Sequence, residues 1–482
     1  MASYKTDESF LEKISIGAIG TQQVFKVLQN QGHQPIELER GSMNYKIWKK
    51  IKIKRIRVPD ILCVDNGIRI ESRAKTNLQI SMSHSTSDPT RGWDHGMKDE
   101  DFVALVVCEK FGKNPIDWKA DNLVQFISIR ELRKAEKQNL VIFIKPKGAQ
   151  EGFESRIIWP SCLASCKGTI TEVDKTIKYK TNEGRTNFVK LEKGKKKLTP
   201  LVTVGENVLP NQILASVVKI QQTIPTTKVT FDYFLGNLSN LTLSERYAAA
   251  KALCYFNDPK VTKALIEKLA DNDEHIYVKL ETAASLCRLG HDAGYDYINT
   301  CLTDSYLQNI LESVIVLSEI KTDRACKMLS DILLNNSFDP EIRAGAAWGL
   351  GEQQNRTGLT AIVSSFNSVE ESIKIEAARA LAKLTKNYSL EILQKFDSSS
   401  TIEKPGISWA LTKSKSLKLD QLISSLKDLD SKQWITFIIG THGEERYIKE
   451  IEKLKNKDPE VYFAVTLLWK IMTSWIYELK EY

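Results

Sequence analysis

The sequence predicts a multidomain protein with an α/β domain first, a small β module next and an all-α array of helical hairpins last. Three observations lead to this fold class. With 482 residues, the chain is too long for one ordinary hydrophobic core. Its second half repeats an alanine-rich helical pattern, whereas its first half alternates between helical and strand-like patterns. We place the three parts at residues 1–161, 162–225 and 226–482.

The composition indicates a soluble globular protein, because 42% of the residues are hydrophobic and 27% are charged. The formal net charge of +8 permits a polyanionic partner without requiring one. The N-terminus lacks a signal-peptide pattern, and no run of 18 apolar residues occurs. Eight scattered cysteines lack zinc-site spacing, which favours reduced thiols. We therefore expect a cytoplasmic protein that does not interact with membranes.

In the α/β domain, the apolar pattern predicts a helix over residues 8–32 and strands over 55–64, 68–75, 102–108, 140–145 and 156–159. The dipeptide Asn66-Gly67 between two of these strands is a strong hairpin signal. A two-residue turn there would set Asp60 opposite Arg73 and Leu62 opposite Glu71.

The same alternation places four charged side chains, Asp60, Glu71, Arg73 and Lys75, on one face of the predicted hairpin. Carboxylates gathered in this way are costly to bury unless each has a cationic partner or a metal ion. Oxygen ligands suit Mg²⁺ or Mn²⁺, which can stabilise the attacking and leaving oxygens of phosphodiester hydrolysis.

The hairpin also carries a short motif, in which Pro59-Asp60 is followed eleven residues later by Glu71-Ser72-Arg73. This motif, after a helix and on a hairpin, resembles the PD-(D/E)xK nuclease superfamily, which has the restriction-endonuclease-like fold. The resemblance implies that Asp60 and Glu71 are metal ligands and that the Ser72 carbonyl is a further oxygen donor.

The resemblance has one departure, because the lysine of the family falls on Arg73, which stays protonated and cannot act as a base. Lys75 on the same face is the candidate to take over that role. Glu39, and more weakly Glu37, match the place of an additional carboxylate. The alternative is structural: Asp60 caps a turn, while Glu71 and Arg73 form a solvated ladder.

Two segments near the motif are candidates for nucleic-acid contacts. Seven cations lie within twelve residues, with Tyr45 and Trp48 close by; they are Lys46, Lys49, Lys50, Lys52, Lys54, Arg55 and Arg57. A solvated strand edge explains them equally well. In the polar stretch 81–96, a phosphate or base could be contacted by His84, Arg91, Trp93, Asp94 and His95, unless the stretch is a self-bonded loop and helix start.

The β module is predicted from short strand-like runs over residues 162–222. The stretch LVTVGENVLPNQILA resembles half of a barrel-sandwich hybrid, without the lysine of a lipoyl hairpin. A second group of cations is either a phosphate contact or an exposed hairpin; its members are Arg185, Lys190, Lys193, Lys195, Lys196 and Lys197.

The helical array is predicted from equivalent leucines that recur every 30 to 33 residues, at Leu253, Leu286, Leu317, Leu350, Leu381 and Leu411. A second apolar helix follows most of them, and small residues such as Ala346 allow close helix approach. The pattern resembles HEAT repeats of the short PBS-lyase-like form over residues 241–427. A decayed unit and a terminal helix with Trp469 and Trp475 are expected to cap the array.

Together these features predict a Mg²⁺- or Mn²⁺-dependent endonuclease, most plausibly for DNA, with a role in restriction or host defence suggested by the domain pairing. The alternative is a non-catalytic scaffold with a degenerate nuclease-like domain, and RNA is a third option for the substrate. The first helices of the hairpins show no basic stripe, which favours a protein partner or a homodimer over a DNA-binding surface. Their acidic residues Glu281, Glu312, Glu352 and Glu376 balance the basic residues Lys279, Arg288, Arg343 and Arg379.

Overall fold

The structure is a computed structural model that describes residues 7–43, 51, 56–85, 88, 91–145, 154–442, 447 and 450–480. The chain divides into two compact units, one with residues Met1–Ile47 and Arg55–Ser285 and the other with Trp48–Lys54 and Leu286–Tyr482. Most of the predicted basic cluster lies outside the described residues, namely Lys46, Lys49, Lys50, Lys52, Lys54 and Arg55, together with Tyr45 and Trp48.

The first unit begins with the α/β domain. In chain order it contains α1 (Asp7–Asn30), β1 (Pro35–Glu37), β2 (Ile61–Cys63), β3 (Arg69–Lys75), β4 (Ser81–Ser85), β5 (Phe102–Lys110), β6 (Trp118–Ser128), α2 (Ile129–Lys137), β7 (Ile142–Ile144) and β8 (Glu154–Ile158). The main sheet has the order β1-β2-β3-β5-β6, and only β3 and β5 are parallel neighbours. A smaller sheet has the order β4-β8-β7.

Helix α1 packs on the main sheet through buried Val24 and Leu28. Gly20 makes this approach possible, because a Cβ atom there would lie 2.3 Å from the Cβ of Ala74 on β3. A second core forms where α2 meets the smaller sheet. Its centre is Trp159, whose indole N–H donates to the Leu132 carbonyl at 3.1 Å.

The predicted register of the β2–β3 hairpin is wrong. Ile61 pairs with Ile70 and Leu62 pairs with Arg69, so the strands are offset by two residues from the predicted pairing. The same register, continued by one residue, brings Asp60 opposite Glu71 instead of Arg73. Asp60 and Glu71 nevertheless share a face, because directly opposed residues of antiparallel strands point the same way.

The register differs because the turn is longer than two residues. It spans residues 64–67, with the Cys63 N–H bonded to the Ile68 carbonyl and the Gly67 N–H bonded to the Cys63 carbonyl. Asn66 accepts the Ile68 N–H and donates to the distant Pro225 carbonyl at 2.8 Å. Gly67 has a φ of +71°, and a Cβ atom there would lie 2.5 Å from the Tyr233 ring. Long-range contacts therefore set the turn length.

The β module follows, with β9 (Ser161–Leu163), β10 (Gly168–Val173), β11 (Thr176–Thr181), β12 (Thr186–Lys190), β13 (Glu192–Lys193), β14 (Lys196–Lys197), β15 (Thr199–Pro200), β16 (Asn207–Val208) and β17 (Ile213–Ser216). Its sheets have the orders β12-β11-β10-β16 and β15-β17-β9. The basic hairpin β13–β14 is mostly exposed. Its Lys193 and Lys196 donate to the carbonyls of Ser161 and Asn139, so two of its cations have roles within the fold.

Four helices complete the first unit: α3 (Phe231–Asn237), α4 (Leu243–Ala252), α5 (Pro259–Ala270) and α6 (Ile276–Arg288), the last of which continues into the second unit. Helix α5 has Pro259 in its first turn, and the Asp258 side chain accepts the Lys260 N–H as an N-terminal cap. A 3₁₀ turn over Leu253–Tyr255 connects α4 to α5.

In the described part of the second unit, all the regular secondary structure is helical. It contains α7 (Asp292–Cys301), α8 (Leu307–Glu319), α9 (Asp323–Leu334), α10 (Pro340–Gln353), α11 (Leu359–Ser364), α12 (Glu371–Ser398), α13 (Lys404–Leu411), α14 (Leu419–Ser424), α15 (Leu429–His442), α16 (Ile451–Lys457) and α17 (Pro459–Lys480). All six predicted leucine positions are buried. None of the described helices has both the length and the apolar character needed to cross a membrane.

Small residues allow the helices to stack closely, as the alanine-rich pattern predicts. A Cβ atom at Gly351 of α10 would lie 2.7 Å from the Cα of Ala380 on α12. Ion pairs about one repeat apart also link successive hairpins, including Arg288 with Glu319 and Asp397 with Lys427. At the end of the unit, Trp469 of α17 is buried and donates to the Gly440 carbonyl, so this helix covers the last hairpin.

A buried cation connects β3 to α4 within the first unit. The guanidinium of Arg69, only 1% exposed, donates to both carboxylate oxygens of Asp101. It also donates to Ser244 at 2.7 Å and pairs with Glu245 at 2.8 Å, and both of these residues lie on α4. The sheet and the first helical hairpin are thus joined by charge-assisted hydrogen bonds away from water.

We predict that Arg69→Met lowers the opening free energy of β3 and α4 by about 3–5 kcal/mol, because two buried carboxylates lose their counter-charge. Hydrogen–deuterium exchange measured on both segments tests this. Arg130→Met is the matched control: its pairs with Asp99 and Glu100 are exposed, so a change within about 0.5 kcal/mol is expected. Equal protection in wild type and Arg69→Met would contradict the prediction.

Candidate functional site

A polar cleft of about 310 Å³ opens beside β3 and β4 in the first unit. Residues 91–97 and the segments around residues 39 and 57–58 complete its walls. Among the described residues, seven ionisable side chains line it: Glu39, Arg57, Glu71, Arg73, His84, Arg91 and His95. The structure therefore brings together eight of the residues chosen from the sequence as site candidates, namely Glu39, Arg57, Glu71, Arg73, His84, Arg91, Trp93 and His95.

Asp60 lies behind this cleft and does not line it. The residue is only 8% exposed, and its Oδ2 accepts the Ser72 N–H at 2.7 Å. Burial raises the pKa of the Asp60 carboxyl well above its ordinary value, and repulsion from Glu71 and Glu39 raises this pKa further. The Ser72 N–H and Arg73 act in the opposite direction without cancelling the rise. Three carboxyl groups therefore interact at one place in the fold.

Glu71 and Arg73 form an ion pair at 2.9 Å along β3, and both side chains are partly exposed. This pairing satisfies part of the structural alternative, although it runs along one strand and not across two. The Nε of Arg73 is nevertheless buried with no hydrogen-bond partner within the described parts of the chain, and the same is true of His84 Nδ1. Two polar atoms beside the cleft thus remain available to a ligand.

Lys75 is not part of the cleft, although it follows Arg73 on the same strand. Its ammonium donates to the Gln79 carbonyl at 2.5 Å, to the Ser81 carbonyl at 2.7 Å and to Ser81 Oγ at 2.9 Å. Burial lowers the pKa of Lys75 to about 7, and the positive charges of Arg73 and Arg156 lower this pKa further. The amine secures the connection between β3 and β4, and its assignment as the active-site cation stays a prediction.

The two candidate glutamates, Glu37 at the end of β1 and Glu39 just after it, differ in their surroundings. Glu37 accepts the Met43 N–H at 2.9 Å and the Ser42 hydroxyl at 3.3 Å, so it closes the turn that follows. Glu39 lines the cleft, and its backbone N–H donates to the Asp60 carbonyl. Of the two glutamates, Glu39 is the one that lines the cleft, and its role as an additional carboxylate stays a prediction.

Two residues of the polar stretch 81–96 have structural roles. Trp93 is buried and donates to Glu136 at 2.9 Å, while Asp94 pairs with Arg133 at 2.7 Å. The beginning of this stretch was expected to be a loop, but it forms strand β4. The sequence signal for this strand was that apolar Ile80 and Met82, both buried, alternate with the polar residues Ser81 and Ser83. Strand β6 and helix α2 were also missed.

The described residues contain no group of three or more His, Cys, Asp or Glu side chains arranged to hold a metal ion. The three interacting carboxyl groups are close enough to repel one another, but Glu71 is engaged by Arg73. A divalent ion would have to displace Arg73 from Glu71 in order to use both carboxylates.

The helical part was also compared with known proteins. Residues 245–271 match the family described as PBS lyase HEAT-like repeat. This segment contains most of α4 and all of α5, so it corresponds to one helical hairpin. HEAT-like repeats are therefore present, as the leucine spacing predicts. No curated protein matches the chain.

Several solved structures resemble part of the chain at low identity. Human deoxyhypusine hydroxylase in complex with glycerol is 12% identical over 44% of this chain and 84% of that chain, with a TM-score of 0.20. The complex of CpcE and CpcF of phycocyanin lyase from Nostoc sp. is 17% identical over 50% of this chain and 96% of that chain, with a TM-score of 0.25. An engineered protein is 16% identical over 49% of this chain and 76% of that chain, with a TM-score of 0.23. TM-scores this low carry no weight for fold or function.

We predict that Asp60→Asn stabilises the first unit at pH 7 to 8 by on the order of 1 kcal/mol. A raised folded-state pKa means that the protonated carboxyl is the favoured form, so its stabilisation is lost as the pH rises through that pKa. The gain should vanish below pH 4, where the carboxyl is protonated in both states. Urea unfolding across this pH range tests it.

The control for Asp60→Asn is Asp174→Asn, in the exposed turn between β10 and β11. This substitution should leave the pH profile of stability unchanged. A lower stability of Asp60→Asn than of wild type at pH 8 would show that the Asp60 carboxylate is stabilising, contrary to the account given for it.

Proposed function

We propose that this protein is a helical-repeat scaffold whose N-terminal cleft binds phosphate groups of a nucleic acid without needing to cut it. The observation that supports this most is the convergence of Arg57, Arg73 and Arg91 on one concave site, with His84 and His95 beside them. Guanidinium groups bind phosphate through paired N–H donors, and an enclosed site strengthens such bonds.

The size and polarity of the cleft fit this ligand. About 310 Å³ accommodates a phosphate with part of its flanking sugars, while the rest of the strand would lie outside. Arg73 Nε and His84 Nδ1, which lack partners among the residues that the structure describes, would gain them from phosphate or sugar oxygens. Glu39 and Glu71 on the same walls would limit binding to phosphates that approach from the arginine side.

The HEAT-like repeats are proposed to bind a protein, not nucleic acid. Several of their charged residues are buried or engaged within the fold. Glu281 is fully buried, Glu312 is 2% exposed, and Arg343 donates to the Leu333 carbonyl at 2.9 Å. Charges engaged in this way do not form the exposed basic stripe that counterion release from nucleic acid requires. A second copy of the chain is the alternative partner for the repeats.

We predict that Arg57→Ala and Arg91→Ala each weaken binding of a fluorescent single-stranded oligonucleotide about tenfold in EDTA, and lower the salt dependence by about one phosphate contact. Arg185→Ala, in the exposed basic part of the β module, is the control with unchanged affinity. If only Arg185→Ala weakened binding, the β module and not the cleft would be the nucleic-acid site.

A second candidate function is metal-dependent phosphodiester hydrolysis, as the PD-(D/E)xK resemblance implies. It is favoured by one observation, the mutual repulsion of Asp60, Glu71 and Glu39, because a divalent cation would relieve it. Asp60 and Glu71 would hold Mg²⁺ or Mn²⁺, with the Ser72 carbonyl as a further donor. The ion would supply the charge that stabilises the transition state. Glu71 would then have to leave Arg73, and Arg73 would be free to contact the phosphate.

For this candidate, the expected result is Mg²⁺- or Mn²⁺-dependent cleavage of plasmid DNA, single-stranded DNA or RNA by wild type, and loss of at least about 100-fold in rate in Asp60→Ala and Glu71→Ala. Glu109→Ala, an exposed carboxylate at the end of β5, is the matched control that should cut normally. A wild type that binds but never cuts, or Asp60→Ala and Glu71→Ala variants that cut at the wild-type rate, would refute catalysis and leave the scaffold proposal standing.

A further inference from the structure

The residue that follows Glu39 links the cleft to the helical repeats within the first unit. Arg40 is only 4% exposed, and its guanidinium pairs with the carboxylate of Glu281 on α6. Glu281 is fully buried and also accepts the Tyr247 hydroxyl at 2.8 Å. The Nζ of Lys251 lies 3.5 Å from the same oxygen, so two cations and a phenol surround one carboxylate.

This buried cluster is one of two fixed points on either side of Glu39. On the other side, the Leu38 N–H donates to the Asp60 carbonyl at 2.7 Å, and the Leu38 side chain is fully buried. Strand β1 ends at Glu37, so no strand ladder continues through this segment. The position of Glu39 in the cleft wall is therefore set by Leu38 on one side and by Arg40 on the other.

A buried ionic cluster is a poor way to gain stability alone, because desolvation offsets most of the attraction between the charges. It does, however, fix geometry, since the carboxylate of Glu281 can satisfy Arg40 and Tyr247 only in one arrangement. A pair of apolar side chains would hold the segment after β1 against α6 without fixing where the neighbouring Glu39 lies.

We infer that Glu281, on the second helical hairpin, is a positioning residue for the cleft, acting through Arg40 on Glu39. The inference rests on the proposed function, namely that the cleft binds phosphate groups. It makes the first repeats part of the binding site, although none of their residues lines the cleft. The carboxylate of Glu39 repels phosphate, so the placement of this charge sets how tightly and from which side a phosphate enters.

A double-mutant cycle on the full chain tests the inference, with affinity for a fluorescent single-stranded oligonucleotide measured in EDTA. Glu39→Gln should tighten binding about fivefold, because one negative charge leaves the wall. Glu281→Gln should tighten binding about threefold in the wild-type background, because Glu39 is no longer held in place. In the Glu39→Gln background, Glu281→Gln should change the affinity by less than about 1.3-fold.

The matched control is Glu274→Gln. Glu274 is another buried glutamate of the same hairpins, paired with Arg246 and Lys268 and not lining the cleft. Glu274→Gln removes one negative charge, as Glu281→Gln does, and should leave the affinity for the oligonucleotide unchanged in both the wild-type and the Glu39→Gln background. If Glu281→Gln does not fold, Tyr247→Phe takes its place in the cycle, since it removes one hydrogen bond from Glu281 and keeps the charge.

The outcomes separate the inference from the proposal beneath it. Wild type that fails to bind the oligonucleotide would overturn both. Binding by wild type with equal effects of Glu281→Gln in the two backgrounds would overturn the positioning role and leave the phosphate cleft in place. An effect of Glu274→Gln as large as that of Glu281→Gln would also overturn it, because charge loss anywhere in the hairpins would then be sufficient.

Discussion

In the first unit, the packing of the α/β domain against the first helical hairpin depends on the buried guanidinium of Arg69. This single cation is held by Asp101 beside the sheet and by Ser244 and Glu245 on the first repeat helix. Because an uncompensated charge would be costly in this interior, the α/β domain and the first hairpin have to fold against each other. The Arg40–Glu281 pair makes a second connection of the same kind. The cleft is therefore bordered by segments that the repeats hold in place.

Under the proposed function, this dependence would give the helical array a role in the site besides the proposed binding of a protein partner. The catalytic hypothesis and the scaffold hypothesis share the same cleft and differ in what happens to Asp60. Burial and the neighbouring carboxylates raise the pKa of Asp60, and a bound cation would act in the opposite direction. Glu71 is paired with Arg73, so a metal ion could use the Glu71 carboxylate only after this ion pair had broken. Under the proposed function, the cleft would bind phosphate as it stands, whereas it would bind a metal ion only after the Glu71–Arg73 pair had rearranged.

Much of the fold could be predicted from the sequence because the signals are local. The leucine spacing of 30 to 33 residues predicted the repeats, since each hairpin buries the same positions. Strand alternation predicted the shared face of Asp60 and Glu71, and the polar stretch after it contains His84 and Arg91 of the cleft.

What the sequence did not predict depends on long-range partners. The turn length is set by Asn66 bonding to Pro225, which lies 159 residues away, and the hairpin register follows from it. The position of Lys75 depends on carbonyls of the β3–β4 connection that no motif specifies. The buried role of Arg69 could not be recognised from the sequence, since its partners on α4 lie about 175 residues away in the chain. Such pairings become visible only when the chain is folded.

The most direct measurement for the central claim is a crystal structure of the full chain with a short phosphorothioate single-stranded oligonucleotide, located by the anomalous signal of sulfur. The account predicts a phosphate between Arg57, Arg73 and Arg91, with Glu39 held beside it and the Arg40–Glu281 pair intact. An oligonucleotide bound along the repeats or on the β module, with the cleft empty, would contradict it.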